Sequence, residues 1–234
     1  MSNPNSPRLS TVSAMNERIK KQLADHNNDY ANSLKIEHDR LLNGLDAILH
    51  IRANHNIAET PAAHTLRLAK AANKLKDENM KVKQKALNIY VEYDNQINAA
   101  MIERTGMNKQ SPYASEIRAA FKALDMKERT AYLNQLTESG DGSTFAVIMD
   151  APEILTGIPR AMNKDFSSAF FSKAAPDLVK QQQDLKSVMD MIEITIREID
   201  YETTDYSNPE TVRQIEADIQ KSQEAQTRFD TAMG

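Results

Sequence analysis

The amino-acid sequence predicts an all-α fold in which long antiparallel helical hairpins, paired like coiled-coil arms, flank a compact middle of short helices. Three observations lead to this prediction. Apolar residues recur at steps of three and four over long stretches, which is the period of one helix face. The 234 residues contain only six glycines and eight prolines, and these are clustered rather than scattered. Several clusters place a proline directly after a capping residue, which is typical of a helix start.

The composition is that of a folded globular chain, with 40% hydrophobic and 26% charged residues. The chain has no cysteine, which excludes disulfides, thiolate nucleophiles and cysteine metal sites and agrees with a reducing cytoplasm. The first residues, MSNPNSPRLSTVS, lack the apolar core of a signal peptide, and no apolar run is long enough to span a membrane. We therefore expect a protein that is made in the cytoplasm and has no membrane partner.

A long hairpin is predicted over residues 13–106, preceded by a flexible tail over residues 1–12. Ser13 can cap its first helix. One apolar stripe then predicts a single helix of about ten turns. The members of this stripe are Met15, Ile19, Leu23, Tyr30, Leu34, Leu41, Leu45 and Ile48.

Thr60 and Pro61 predict the start of the second helix of this hairpin, because the hydroxyl can cap a helix and proline tolerates its first position. Gly106 predicts its end. The stripe between them consists of Leu68, Ala72, Leu75, Val82, Ala86, Ile89, Tyr93, Ile97 and Ala100. Two long helices joined by a short turn favour antiparallel, coiled-coil-like packing.

Residues 107–158 predict a compact region of short helices. Ser111 with Pro112 marks one helix start, and Asp125 with Glu128 has the spacing of a capping box. The segment SGDGS predicts a helix end followed by a new cap at Ser143 or Thr144. Turn residues punctuate the stretch DAPEILTGIP, which we interpret as a structural joint rather than an active-site loop.

Three residues define that joint. Pro152 begins a one-turn helix, Gly157 closes it in the left-handed conformation, and Pro159 initiates the next helix. We expect Ile154 and Leu155 to face a core.

A long C-terminal hairpin is predicted over residues 159–234. Pro176 either starts a helix or kinks one that began near Pro159. A heptad seam follows, and we interpret it as a surface for self-association or docking. The residues of this seam are Leu178, Leu185, Met189, Ile192, Ile196 and Ile199. The last helix starts at Asn208-Pro209, and its stripe, thinned by Ser222 and Gln223, is Val212, Ile215, Ile219, Gln226 and Phe229.

Residues that could carry chemistry form no known catalytic or metal-binding pattern. The five histidines lack the Glu-x-x-His and HExxH spacings, and SGDGS lacks the lysine of a phosphate-binding loop. A cluster of acidic residues is interpreted as a solvated helix face. Its members are Asp190, Glu193, Glu198, Asp200 and Glu202. We predict neither enzymatic activity nor a cofactor or metal site.

Residues 67–85 carry seven basic and two acidic side chains. The cations we consider as a basic stripe are Arg67, Lys70, Lys74, Lys81 and Lys85. Such a stripe could meet the phosphates of nucleic acid, with an affinity that falls as salt rises. It could also be an ordinary solvated face or pair with an acidic surface of another subunit, because no aromatic residues interleave for base stacking.

Three segments carry a resemblance to a known family: YASEIRAAFKALDMKERTAYLNQL, DAPEILTGIP and AAPDLVKQQQDL. They resemble helical proteins encoded among the structural genes of tailed bacteriophages and prophages. Members share an EIR…L…ER…L helix pair, an APxxLSG type of turn and an APELV helix start. Thr156 stands where serine is usual. The resemblance covers roughly residues 111–200 and implies a virion or assembly context, with no catalytic residues to carry over.

Together, these observations predict a non-enzymatic structural or assembly protein of a bacteriophage particle, made in the host cytoplasm and located in the virion. It would act through helix-mediated self-association as a homo-oligomer, or by docking to other virion proteins. Two alternatives stay open: a DNA-associated internal or ejected protein that uses the Lys-rich helix 67–85, and a transient scaffolding protein. A helical adaptor of the host cell would instead bind one soluble partner.

Overall fold

The computed structural model describes residues 6–233, and every regular element in that part of the chain is a helix. The all-α prediction is therefore confirmed. The helices are α1 (Pro7–Gln22), α2 (Asp29–Ala53), α3 (Pro61–Thr105), α4 (Ala114–Ala123), α5 (Met126–Ser139), α6 (Gly142–Met149), α7 (Glu153–Thr156), α8 (Arg160–Ala174), α9 (Pro176–Thr204) and α10 (Pro209–Met233).

The described chain divides into two compact units. Residues 6–90 and 187–233 form the first unit, and residues 91–186 form the second. Helices α3 and α9 each contribute to both units, whereas we expected contiguous segments over 13–106, 107–158 and 159–234.

Four helices, α1, α2, α3 and α9, make up a bundle in the first unit. Side-chain contacts pair α2 with α3 in opposite directions, because Glu37, Arg40 and Gly44 lie against Lys85, Glu78 and Leu75 in that order. The interior is mostly aliphatic, as expected for a bundle with inward-facing stripes. The core residues include Val12, Ile19, Leu23, Leu34, Leu41, Leu45, Leu49, Ala72, Val82, Ala86, Val188, Ile192 and Ile199.

The single first helix that we expected is in fact two helices. The chain leaves α1 at Leu23 and enters α2 at Asp29, where the Asn28 side chain accepts a hydrogen bond from the Ala31 amide at 2.8 Å. The stripe concealed this break because Leu23 and Tyr30 are seven residues apart, a spacing that keeps the phase of a helix. A turn can therefore interrupt the helix without disturbing the apolar pattern.

The start of α1 also differs from the prediction. The helix begins at Pro7 after a cap from Ser6, not at Ser13, so residues 7–12 are helical rather than part of a flexible tail. The remainder of the predicted tail, residues 1–5, lies outside the described residues. Ser6-Pro7 is the same cap-then-proline signal that we used at other helix starts.

Short helices of the second unit pack around an aromatic and aliphatic core. The core consists of Phe121, Leu133, Leu136, Phe145, Ile148, Met149, Ile158 and Phe170. The rings of Phe145 and Phe170 stack with their centroids 4.3 Å apart. Gly142 allows α6 to approach the end of α3 closely, because a Cβ atom there would lie 2.0 Å from the Thr105 carbonyl oxygen.

Several predicted helix ends are confirmed. Helix α3 starts at Pro61 with a hydrogen bond from the Ala63 amide to the Thr60 hydroxyl, and Gly106 follows its last residue with a φ of +72°. The capping box of Asp125 and Glu128 is present at the start of α5. Of the two alternatives at Pro176, the structure has a new helix, α9.

Two other helix starts were wrong. Helix α4 begins at Ala114 rather than at Ser111-Pro112, because the Ser111 hydroxyl accepts the Tyr113 amide and forms a turn before the helix. Asp141 caps α6, not Ser143 or Thr144, since its carboxylate accepts the Thr144 amide at 3.0 Å.

Candidate interaction surfaces

The predicted interaction seam lies on α9 and is covered by the chain's own helices. Leu185 and Ile199 are completely buried, and Ile192 is 1% exposed. Leu178 and Ile196 are also buried, and Met189 is half-buried. These side chains hold α9 in the fold, so they cannot at the same time form the surface that meets a partner. This corrects the expectation that the α9 seam drives self-association.

Helix α10 carries an apolar face that the described chain does not cover. None of its residues 209–233 is buried, and Val212 and Ile215 are half-buried. The exposed fraction rises along the helix from 39% at Ile219 to 60% at Phe229 and 73% at Met233. An amphipathic helix with an uncovered apolar face is a candidate interaction surface.

Ion pairs within the chain occupy part of the basic stripe. Lys81 lies 2.7 Å from Glu78, and Arg67 lies 3.0 Å from Glu59. Lys85 contacts Glu37, whose carboxylate is 1% exposed and also lies 3.0 Å from Arg40.

Lys70 and Lys74 are exposed on α3. The stripe therefore offers fewer free cations to a polyanion than its sequence indicates, because Arg67, Lys81 and Lys85 already face carboxylates.

The structural joint connects α6 to α8. Pro152 precedes the one-turn helix α7, Gly157 ends it with a φ of +71°, and α8 starts directly after Pro159. The Arg129 guanidinium donates to the Gly157 carbonyl at 3.0 Å and to the Lys122 carbonyl at 2.6 Å. A Cβ atom on Gly157 would lie 2.2 Å from this guanidinium, so both the backbone conformation and the contact require glycine.

Our expectation for the apolar residues of the joint was wrong. Ile154 and Leu155 are 75% and 45% exposed, whereas Thr156 and Ile158 are buried. The turn at Gly157 directs Ile158 into the core of the second unit and leaves the one-turn helix at the surface.

Four polar side chains form a hydrogen-bonded series across the bundle of the first unit, and three of them, Asn16, His38 and Thr195, are buried. The Asn16 amide nitrogen lies 2.9 Å from Asp39 Oδ1, and its oxygen lies 3.0 Å from His38 Nδ1. On the other side of the imidazole, Nε2 lies 2.8 Å from Thr195 Oγ1. These hydrogen bonds link α1, α2 and α9. The sequence analysis did not predict them, although Asn16, His38 and Thr195 each occupy a position of an apolar stripe.

The order of donors in this series is fixed by its carboxylate end. Because the Asp39 carboxylate can only accept, the Asn16 nitrogen donates to it, and the Asn16 oxygen then accepts a hydrogen bond from His38 Nδ1–H. His38 Nε2 is left as the acceptor for the Thr195 hydroxyl. Burial lowers the pKa of His38 to about 4, so the imidazole is neutral at pH 7.

A hydroxyl, an imidazole and an acidic residue in line resemble the order of groups in a hydrolase. Here, however, His38 and Thr195 are both completely buried, so a substrate cannot reach the hydroxyl in this conformation. The arrangement holds three helices together in one register.

Glu202 forms a second polar centre near the end of α9. Its carboxylate accepts from Ser6 at 3.0 Å and from Arg52 at 2.9 Å, and its side chain is 9% exposed. Tyr206 also donates to it, and burial together with this bond raises the pKa of Tyr206 to about 12. The interpretation of the acidic cluster as a solvated face was therefore wrong for Glu202, which ties α1 and α2 to α9.

An apolar groove of about 480 Å³ opens on the second unit. It is lined by Glu116, Ile117, Ala120, Phe121, Leu124 and Tyr132. Glu116 is the single charged residue of this lining. The groove therefore lacks the set of converging polar groups that would orient a specific small ligand.

Among residues 6–233, no group of three or more histidine or acidic side chains is placed to hold a metal ion. No helix within that range is both long and apolar enough to cross a membrane. Comparison of the chain with known protein families, with curated proteins and with solved structures finds no match.

Proposed function

We propose that this protein is a non-enzymatic structural or assembly component of a bacteriophage particle, and that it acts by self-association or by docking to other virion proteins through α10. The observation that carries the interaction role is the uncovered apolar face of this helix. The virion context is supported by the resemblance of residues 111–200 to phage-encoded helical proteins.

The exposure of α10 is energetically unfavourable for an isolated chain. Most of the stability of a protein helix comes from packing its amphipathic face rather than from the propensity of its residues. Among residues 6–233, the side chains of α10 that are at least half-buried are Val212 and Ile215. A partner that covers Ile219, Phe229 and Met233 would bury apolar surface at roughly 25 cal/mol per Å².

Two alternatives share the helical architecture. A transient scaffolding protein would use the same apolar surface but leave the particle during maturation. A DNA-associated internal or ejected protein would use the Lys-rich helix, and the exposed Lys70 and Lys74 are the observation that favours it.

The composition of particles tests the proposal. Phage particles are produced from bacteria that carry the coding sequence, and mature and immature particles are separated and analysed by mass spectrometry. We expect the protein in mature particles at many copies. Its presence in immature particles alone would identify a scaffold, and its absence from both would overturn the virion role.

A retention assay on double-stranded DNA tests the second alternative. The proposal expects the wild-type chain not to be retained at 50–200 mM salt. Retention that disappears on Lys70→Glu with Lys74→Glu would favour the DNA-associated role. These two positions suit the test because Lys81 and Lys85 form ion pairs, and their reversal would also disturb the fold.

A further inference from the structure

We infer that α10 pairs with the α10 of a second copy of this chain as a parallel, in-register, two-stranded coiled coil. The inference rests on the proposed function and deepens it, because it names the partner and the geometry of the interaction.

The apolar face of α10 follows a heptad repeat, with Val212 and Ile215 half-buried at its start and Ile219, Phe229 and Met233 exposed beyond them. From the first to the last turn its positions alternate between steps of three and four, which is the pattern of a and d sites. In order these are Val212, Ile215, Ile219, Ser222, Gln226, Phe229 and Met233. A face with this period fits another helix, and the exposed part from Ile219 to Met233 is about 22 Å long at 1.5 Å per residue.

The side chains at these positions are compatible with two strands. The a positions begin with Val212 and Ile219, and β-branched residues at a occur in parallel dimers. Gln226, also at an a position, is polar and defines the register as single polar a residues do in other coiled coils. Its amide already donates to Asp230 at 2.8 Å within the helix, so the group keeps a partner when the seam is covered.

The sequence of layers favours a parallel arrangement. In a parallel pair in register, each layer joins identical residues, so Gln226 meets Gln226 and Ile215 meets Ile215. In the antiparallel pair that overlaps over residues 212–229, Gln226 meets Ile215 and Ser222 meets Ile219. The antiparallel form thus places polar groups against aliphatic ones in four of its layers, at a cost in desolvation.

Charges beside the seam are compatible with the parallel pair. In parallel coiled coils a g residue faces the e residue five positions later in the partner helix. These pairs here are Thr211 with Glu216, Asp218 with Gln223, and Ala225 with Asp230. Every acidic residue at a flank therefore faces a neutral one, and no like charges oppose each other.

Disulfide trapping tests the geometry, because the natural chain has no cysteine and each variant carries a single thiol. Ser222→Cys and Phe229→Cys both place the thiol at d positions, and Ala217→Cys, on the outer face, is the matched control. After mild oxidation of the purified full-length variants, we expect both d-position variants to form linked dimers at least ~10-fold faster than the control.

The two d positions respond differently to the alternatives. In the antiparallel pair, Ser222 lies one layer away from its counterpart, whereas Phe229 is opposite Val212 and far from its counterpart. Linkage by Ser222→Cys alone would therefore overturn the parallel geometry. Linkage by neither variant above the rate of Ala217→Cys would overturn the pairing itself.

A charge placed in the seam gives a second, independent test. Ile219→Asp should raise the dimer dissociation constant by at least ~100-fold, measured by light scattering on separated samples, since each copy would bury an unpaired charge. Ala217→Asp adds the same charge to the outer face and should leave the constant within about twofold. Equal constants for both variants would contradict the inference, as would a wild-type monomer at 100 µM.

The outcome is separable from that of the proposed function. If dimers are trapped but the protein is absent from particles, the pairing of α10 is supported and the virion role is contradicted. If the protein is abundant in particles but no dimer is trapped, the virion role is supported and the pairing of α10 is contradicted.

Discussion

Four buried polar residues of the bundle occupy positions where the apolar stripes would place an aliphatic side chain. Asn16, His38 and Thr195 belong to one hydrogen-bonded chain, and Asn79 donates to Asp200 at 3.2 Å. Buried polar groups are tolerated when they are hydrogen-bonded and are costly when they are not. Sliding any of these helices by one residue would leave such groups without their partners, so they favour a single register.

His38 makes the stability of the protein depend on pH. Burial lowers its pKa from 6.5 to about 4, so the unfolded chain takes up a proton in a range where the folded chain does not. Stability is therefore complete above pH 6.5 and decreases as the pH falls towards 4. A shift of this size corresponds to roughly 3 kcal/mol, measured by urea unfolding at a series of pH values.

The matched variant for this prediction is His38→Gln, which keeps a polar side chain but does not titrate. Carboxylates remote from His38 contribute equally to both chains, whereas the lowered pKa of Asp39 depends in part on His38 itself. The difference in unfolding free energy between wild type and variant should therefore change with pH between 4 and 6.5. Parallel curves over that range would show that His38 is not the responsible group.

Gly157 and Gly140 provide a matched pair for a second prediction. Both have a φ near +70°, but a Cβ atom on Gly140 meets nothing within 4 Å, whereas on Gly157 it meets the Arg129 guanidinium. Gly140→Ala should cost about 1–2 kcal/mol from backbone strain alone. Gly157→Ala should cost about 1–3 kcal/mol more, because Arg129 must release its bonds to the Gly157 and Lys122 carbonyls.

Chemical denaturation of both alanine variants measures this difference. In a background of Arg129→Met, the excess cost of Gly157→Ala should disappear, since the guanidinium that it displaces is absent. Equal costs in the wild-type background would mean that the contact between Arg129 and the joint contributes nothing.

At the scale of the helices, local signals predicted starts and ends better than interruptions. Thr60-Pro61, Asp125 with Glu128, and Gly106 each act through bonds within a few residues, so the sequence alone was sufficient to find them. The break between α1 and α2 escaped because the apolar phase continues across it. The cap at Asn28 was visible in the sequence, but a stronger periodic signal competed with it.

The candidate surface shows where prediction from sequence stops. Helices α9 and α10 both carry heptad seams, and the α9 seam has the more apolar residues. The α9 seam is buried within its own chain, while α10 has no such cover among residues 6–233. Which seam is covered depends on contacts between residues more than a hundred positions apart, and periodicity within one helix cannot report these.

The ion pair between α2 and α3 allows a prediction at this scale. Lys85→Ala leaves the buried carboxylate of Glu37 with Arg40 as its only remaining ion-pair partner in the described structure. We expect a loss of roughly 1–2 kcal/mol in unfolding free energy, between the values for exposed pairs and those for buried ones. Lys70→Ala removes an exposed lysine from the same helix and should change stability by less than about 0.5 kcal/mol.

Urea unfolding at low and high salt measures both variants. The loss for Lys85→Ala should persist at 1 M salt, because a carboxylate that is 1% exposed is poorly screened. A loss that vanishes with salt, or one equal to that of Lys70→Ala, would mean that Glu37 is stabilised by other means.

For the whole molecule, the difference in side-chain burial between α10 and the other helices predicts that the protein does not unfold in one step. The bundle and the aromatic core are held by buried side chains from many helices, whereas no residue of α10 is buried. Cooperative unfolding requires such shared contacts. The last 25-residue helix should therefore melt separately from the rest of the described chain.

Circular dichroism at several protein concentrations measures this behaviour. We expect a first transition with the amplitude of about one helix, whose midpoint rises with protein concentration because pairing of α10 supplies its stability. A chain truncated after Ser207 should lack this transition and unfold at the temperature of the second one.

Ile219→Asp should abolish the dependence of the first midpoint on protein concentration, while Ala217→Asp should preserve it. If truncation instead lowered the main midpoint by more than about 4 °C, equivalent to 1 kcal/mol or more, α10 would have to pack on the core in solution, and its apolar face would be occupied by its own chain.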